Sequence, residues 1–240
     1  MNTENFTGRA QSYTKARPGY PAEAIEYIKG IVPPDAIFAD IGAGTGKFTE
    51  LLARHGYKIF AVEPNADMRE QLAVTLASFP KVEIVCGAAE STTLPDNSAD
   101  VITSAQALNW FNTDAFRAEC HRIGKADSVV ITVFNYDSNY KHNGAHGDSR
   151  YDKSTGALYR NPVIREFQNP IYFTRDNWIL YFSSMAGVPK ETEPGYEAHI
   201  AYINERFDRD NSNGLLRLDL VTKVYCEKLE RIVKPINRDE

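Results

Sequence analysis

Apolar runs and amphipathic segments alternate along the chain as far as Asn135. The runs "AIFADIG" (36–42), "KIFAVEP" (58–64), "VEIVCG" (82–87), "ADVITSAQ" (99–106) and "SVVITVFN" (128–135) are short and rich in β-branched residues, a buried-strand pattern. Between them the apolar positions recur at helical spacing. "FTELLARHG" (48–56) puts Phe48, Leu51 and Leu52 on one face, with Gly56 as a stop. "ADMREQLAVTLASFP" (66–80) aligns Met68, Leu72 and Leu76, and "DAFRAECHRIG" (114–124) gives a third helix. A further helix precedes them in "RPGYPAEAIEYIKGI" (17–31), with Pro21 near its start and Ile25, Ile28 and Ile31 on or near one face. Strand, helix and short connection in strict alternation predict a parallel sheet covered on both faces.

After Asn135 the pattern changes. "NYDSNYKHNGAHGDSRYDKSTG" (135–156) is long, polar and glycine-containing, and reads as a loop region. "IREFQNPIYF" (164–173) reads as a strand, "TRDNWILYFSSM" (174–185) as a helix capped by Thr174, and "GYEAHIAYINERFDRD" (195–210) as another helix. The alternating run "LLRLDLVTKVYCEKL" (215–229) predicts an antiparallel edge strand. Nothing reads as a linker, so one domain is expected.

Composition narrows the function classes. The 240 residues carry a formal charge of −5, and Lys and Arg are scattered, so no broad nucleic-acid footprint is expected. No run approaches the roughly 18 apolar residues of a membrane span. Cys86, Cys120 and Cys226 are far apart, with no metal-ligand spacing, and read as reduced thiols. The polar start "MNTENFTGRAQSY" has no signal-peptide core, so a cytoplasmic protein is expected. The pattern gives no reason to invoke a metal.

The candidate chemistry sits in the turn after the first strand, "DIGAGTGKF" (40–48). A phosphate loop of the Walker type would need glycine at Ile41 and a hydroxyl at Phe48, and fails at both. Lys47 then reads as a solvated first-turn residue. A dinucleotide fingerprint fits Gly42 and Gly44 but requires its third glycine at Lys47. The remaining pattern is an acid, Asp40, followed by Gly42, Ala43, Gly44 and Gly46. Glycines let backbone approach a ligand, Asp40 can favour a positive group, and helix amides near residue 46 can favour a carboxylate. A second acid, Glu63, ends the next strand, 21 residues beyond Gly42, where a dinucleotide enzyme would also place an acid, so it does not discriminate alone.

With its flanking strand and helix, this turn resembles the first motif of the class I S-adenosylmethionine (AdoMet) methyltransferases. Glu63, Pro64, Asn65 and Met68 resemble the second motif, and "GAAESTTLPDNSAD" (87–100) the third. The resemblance implies a Rossmann-like, doubly wound α/β fold: a mostly parallel seven-stranded sheet, an antiparallel C-terminal edge strand and helices on both faces. It implies that Met68 lines an adenine pocket bordered by Ala88, Ala89 and Glu90. It also implies that Ala105, Gln106, Asn109, Trp110 and Phe111, at the exit of strand four, sit near the sulfonium. "FTGRAQSYTKARPGYP", "SAQALNWFNTDAFRAECHRI" and "REFQNPIYFTRDNWILYFSSMAG" resemble the trans-aconitate-methyltransferase-like branch of small-molecule enzymes. On that basis residues 1–240 divide into an N-terminal lid and helix (1–32), an AdoMet-binding core (36–135), substrate-side insertions (136–214) and a last strand (215–229).

Strand four lacks the Asn/Asp-Pro-Pro-aromatic tetrad of amino methyltransferases acting on adenine or glutamine, so base methylation by that mechanism is not expected. Trp110 and Phe111 read as core or cofactor-wall residues, and a cation–π contact to the sulfonium is the alternative. Arg17 and Tyr13 read either as surface charge and lid packing or as groups near a carboxylate of AdoMet or of an acidic substrate. His142, His146 and Tyr13 are the candidate catalytic groups, with exposed loop histidines as the competing reading. His121 and His199 read as structural. The expected reaction is methyl transfer from AdoMet to a small-molecule acceptor, leaving S-adenosyl-L-homocysteine, in a monomer or homodimer. An AdoMet-binding sensor and an NAD-dependent oxidoreductase stay open as alternatives.

Overall fold

The short runs of β-branched residues form strands because their side chains are wanted on both sheet faces. In the computed structural model they are β1 (Ile37–Ile41), β2 (Lys58–Val62), β3 (Val82–Val85), β4 (Ala99–Ala105) and β5 (Gly124–Asp137). The structure describes residues 17–137, 141–142, 145–146, 149–185, 187–189 and 191–229. A two-residue pairing, β6 (Lys141–His142) with β7 (Ala145–His146), is followed by β8 (Val163–Phe173) and β9 (Leu216–Lys228). The large sheet has seven strands in the order β3-β2-β1-β4-β5-β9-β8. β1 to β5 are mutually parallel, while β9 runs antiparallel to both β5 and β8. The antiparallel C-terminal strand is thus present, one place in from the rim, with β8 outside it.

Two helical layers cover the sheet. Ala24, Ile25 and Ile28 of α1 (Ala22–Ile31) and Phe48 and Leu52 of α2 (Lys47–Ala53) are buried against Phe38, Ile59 and Val133. α3 (Ala66–Leu76) buries Leu72 and Leu76 with Ala61. Phe116, Cys120 and Ile123 of α4 (Thr113–Ile123) belong to a separate cluster with Ile102, Val130 and Phe134. A third cluster lies beneath α6 (Arg175–Ser183) and α7 (Tyr196–Asp210), where Trp178, Ile203 and Phe207 meet Phe173, Leu216 and Leu218.

One segment departs from the sequence reading. Residues 149–158 form a helix, α5 (Ser149–Leu158), inside the stretch expected to be loop. Its polar composition hides the few residues that dock it. Tyr151 stacks on Phe134 with ring centroids 4.2 Å apart, and Leu158 and Tyr159 are buried in the α4 cluster. Arg117 of α4 donates to the Leu158 carbonyl at 2.9 Å. That contact satisfies an end group that no helical amide reaches.

The topology locates the crevice. From β1 the chain moves outward through β2 and β3, then crosses to β4 on the other side of β1. Ligands of open α/β sheets bind at the carboxyl ends of strands where that order reverses. Asp40 sits there, in register between Ala61 of β2 and Thr103 of β4.

Candidate functional site

The turn from β1 into α2 holds three glycines in the left-handed region, and each answers a different need. Gly42 has φ +72°, and a Cβ there would lie 2.8 Å from the Ala107 Cβ, so this glycine lets the β4 exit press against the turn. Gly46 has φ +89°, and a Cβ would lie 2.8 Å from Leu72 Cδ1, so it lets α2 close on α3. Gly44 has φ +58° and open space where its Cβ would be. That space is the cleft.

Asp40 lies under this turn, 1% exposed. Its Oδ2 accepts from the Thr49 hydroxyl at 2.6 Å and its Oδ1 from Thr103 at 2.8 Å. Burial pushes its carboxyl up to about 6, against the opposing pull of both threonine hydrogen bonds. Glu63 faces the turn from the end of β2. Its Oε2 accepts the Gly44 amide and its Oε1 the Asn65 amide, both at 2.9 Å. Burial raises its carboxyl as well, while those two amides pull it down. Asn65 then caps α3 by accepting from the Met68 amide at 3.0 Å. The cap fixes Met68 beside the acid.

These groups line a cleft of about 450 Å³ along the carboxyl ends of the strands. Of the residues singled out from sequence, Asp40, Gly42, Ala43, Gly44, Glu63, Pro64, Met68, Ala89, Ala105, Gln106, Trp110 and Arg17 stand on its wall. Gly46, Ala88 and Glu90 do not. Gly46 serves helix packing, Ala88 pairs with Ser91, and the Glu90 carboxylate accepts from the Asn112 amide at 2.8 Å. Tyr13 lies outside the described residues. His142 and His146 sit in the short β6–β7 pairing.

Several wall residues escaped the sequence reading. Lys47 is half-buried rather than solvated: its ammonium donates to the Arg17 carbonyl at 2.7 Å, and burial lowers its pKa. It thereby straps residues 17–20 across the cleft. The strap has a second anchor, where the Asn135 and Asn169 side-chain amides both donate to the Gly19 carbonyl at 3.0 Å. Thr45, Asn135, Tyr136, Tyr181 and Arg206 complete the enclosure. Thr45 lies within the glycine turn, whereas Asn135, Tyr136, Tyr181 and Arg206 come from separate elements that spacing from the motif could not have found.

Three buried oxygens on the wall lack a hydrogen-bond partner: Thr45 Oγ1, Gln106 Oε1 and Asn109 Oδ1. Buried polar atoms of this kind are costly unless a ligand or solvent completes them. Gln106 also holds a left-handed backbone, at positive φ. That conformation is strained for a residue with a side chain. An open glycine, an acid with two amide contacts and orphaned acceptors therefore share one crevice. Among the described residues no cluster of three metal-ligating side chains occurs.

Comparison with known proteins meets this geometry at the same place. The methyltransferase domain family matches residues 39–132, from β1 through most of β5. That match covers less than half of the chain. An uncharacterized methyltransferase of Mycobacterium tuberculosis is 37% identical over 131 residues, covering 55% of this chain and 52% of that protein. An uncharacterized methyltransferase-like protein of Schizosaccharomyces pombe is 31% identical over 138 residues, covering 56% and 53%. The chain thus spans about half the length of the curated relatives it matches. A solved structure from Anaeromyxobacter dehalogenans, provisionally classed as a type II methyltransferase, superposes with a TM-score of 0.65 at 20% identity, over 88% of this chain and 97% of that one. The Haemonchus contortus phosphoethanolamine N-methyltransferase 2, solved with phosphomonomethylethanolamine and S-adenosylhomocysteine, gives a TM-score of 0.53 at 13% identity, over 94% of this chain and 58% of that one. At these identities the superpositions speak for the fold. The matched segment contains Asp40, the glycine turn, Glu63 and the β4 exit; α6 and α7 lie beyond it.

Proposed function

We propose that the protein is an AdoMet-dependent methyltransferase acting on a small-molecule acceptor. The observation that carries this reading is the pairing of the open Gly44 turn with Glu63 at the β1–β4 switch point, inside the methyltransferase domain. The donor set fits the cofactor. Glu63 retains lone pairs beyond those used by Gly44 and Asn65, and an acid there suits a ribose diol. Met68 and Ala89 offer the apolar wall an adenine needs. Thr45 Oγ1, Gln106 Oε1 and Asn109 Oδ1 are acceptors suited to the ammonium or to acceptor N–H and O–H groups.

Bound AdoMet would supply an activated methyl on a sulfonium, and the product would be S-adenosylhomocysteine. The protein's share is then to bind, orient and exclude water. The strap held by Lys47, Asn135 and Asn169 closes one side, and Trp110 and Phe111 wall the β4 exit. The free thiols of Cys86, Cys120 and Cys226 favour a reducing compartment such as the cytoplasm, and the charge of −5 argues against nucleic acid as acceptor. Among the described residues no helix is long and apolar enough to cross a membrane.

Calorimetric titration of the purified protein with AdoMet, S-adenosylhomocysteine and NAD tests the reading. Micromolar binding of the first two without NAD is expected. NAD binding alone would restore the dinucleotide alternative, and AdoMet binding without turnover of any acceptor in a broad screen would favour a sensor.

A further inference from the structure

The acid at the end of β2 stands on a turn that the sheet does not hold by itself. The Val62 carbonyl accepts the Gly42 and Ala43 amides at 2.9 and 3.0 Å, and the Glu63 amide donates to the Val85 carbonyl at 3.0 Å. The next two carbonyls, those of Glu63 and Pro64, lie past the β1–β2 ladder. Arg69 reaches back from α3 and answers both. Its Nη1 donates to the Glu63 carbonyl at 3.0 Å and also to the Pro64 carbonyl. The carboxylate of Glu63 is held separately, by the Gly44 and Asn65 amides. Backbone and side chain of this one residue are therefore fixed from two directions.

The place of Arg69 runs against local helix energetics. It is the fourth residue of α3, near the helix end whose dipole disfavours cations. The charge has a use there. Glu63 is 7% exposed and Asp40 1% exposed, so two buried acids share the floor of the cleft. Burial raises the Glu63 carboxyl most, the Asn65 and Gly44 amides and the Arg69 charge pull it down, and the Asp40 charge pushes it up. Other charges around the cleft have other settings. Lys47 of α2 donates to the Arg17 carbonyl, the Arg17 guanidinium lies over Tyr181 at 5.7 Å, and Asp67 adds a negative charge to the first turn of α3. On the β3 side the titratable residue is Cys86. Among these groups Arg69 is the cation whose charge bears on the Glu63 carboxyl.

We infer that Arg69 is a positioning residue for the cofactor acid, fixing the β2–α3 turn through two carbonyls and supplying the positive charge that keeps Glu63 ionised beside Asp40. The inference rests on the methyltransferase reading and adds a residue to that same site. An ionised carboxylate has about four lone-pair sites. Two are taken by the Gly44 and Asn65 amides, and the other two match a ribose diol. A proton on Glu63 turns one of those acceptors into a donor, and the match is lost.

Calorimetry with S-adenosylhomocysteine from about pH 5 to pH 8 tests it. Affinity should fall on acidification as Glu63 takes up a proton. In Arg69→Met the midpoint of that fall should rise by roughly half a pH unit or more. Arg69→Gln, which keeps an amide donor and loses the charge, should raise it too, and carries the test should Arg69→Met fail to fold. Arg69→Lys should bring the midpoint back. In a Glu63→Gln background, Arg69→Met should leave the profile where it was, since Asp40 is common to both proteins. The carboxyl carbon resonance of Glu63, followed by NMR in the free protein and assigned by its loss in Glu63→Gln, should show the same rise. An unmoved NMR midpoint, or a binding profile shifted equally in the Glu63→Gln background, would overturn the inference. Absence of S-adenosylhomocysteine binding at every pH would instead overturn the function reading, and the NMR titration would still decide the role of Arg69.

Discussion

Asp40 and Glu63 are both buried acids at strand ends, yet their surroundings assign them different work. Asp40 is closed in by Thr49 and Thr103, so its carboxyl stabilises the turn from beneath. Its pKa rises from an ordinary 3.8 to about 6 on burial. Between those values the folded protein holds a proton that the unfolded chain has released. Its contribution is therefore fully present below about pH 3.8 and lost as pH rises to about 6. The shift corresponds to roughly 3 kcal/mol in all. Asp40→Asn should remove this slope. Urea unfolding of both proteins from pH 4 to pH 7 should show the difference shifting in favour of the variant with rising pH, and a constant difference would refute it. Glu63 has lone pairs left for a ligand. Glu63→Ala should weaken AdoMet binding by about 1–3 kcal/mol, roughly five- to 150-fold in Kd by calorimetry. An unchanged Kd would remove Glu63 from the cofactor site.

At the scale of elements, what was legible in the sequence and what was not separate by mechanism. β1, β2, β4 and β5 announce themselves because parallel strands covered on both faces are largely apolar, while β3, at the rim and only partly buried, was legible from its short Val/Ile run between turn residues. The Thr174 cap of α6 was readable for a local reason, and its hydroxyl accepts from the Asn177 amide at 3.4 Å. The acid–glycine–acid order was readable because a turn and two strand ends fix it within about 25 residues. By contrast, α5 is polar along most of its length and is held by Tyr151, Leu158 and Tyr159 docking on distant strands, which no local period reveals. Lys47 misled for the same reason, since its partner is a carbonyl 30 residues away. Gly46 belongs with these. It matches a motif yet serves the α2–α3 contact through its left-handed backbone. A side chain in that conformation costs on the order of 1 kcal/mol or somewhat more, so Gly46→Ala should destabilise the fold by at least that much. Chemical denaturation would measure this, and an unchanged midpoint would count against the packing role.

Across the whole molecule, distant parts of the chain are tied by buried polar contacts as well as by the sheet. Gly19, Asn135, Asn169 and Thr222 come from four separate segments and share one network, with the Thr222 hydroxyl donating to Asn135 at 2.6 Å. Asn169 lies outside the methyltransferase domain match, on β8. If residues 1–240 fold as one domain, Asn169→Ala should lower the stability of everything together, by about 1–3 kcal/mol, in one cooperative transition. Two separable transitions, seen by circular dichroism and by tryptophan fluorescence, would instead divide the chain.

The register of β8 with β9 bears on how such a protein could change its diet. The chain leaves the sheet after Phe173 and returns at Leu216, and these two residues are ladder partners. Everything between them, α6 and α7 with Tyr181, Phe182 and Arg206, is a cassette whose two ends meet on a single rung. A foreign segment of any length that closes the same rung could be spliced in without disturbing β1, β2 or the acids that follow them. What such an exchange would alter is the far wall of the cleft and the contacts of Arg17 with Tyr181 and Ser184, which alone link the strap to the exchanged part among the contacts described.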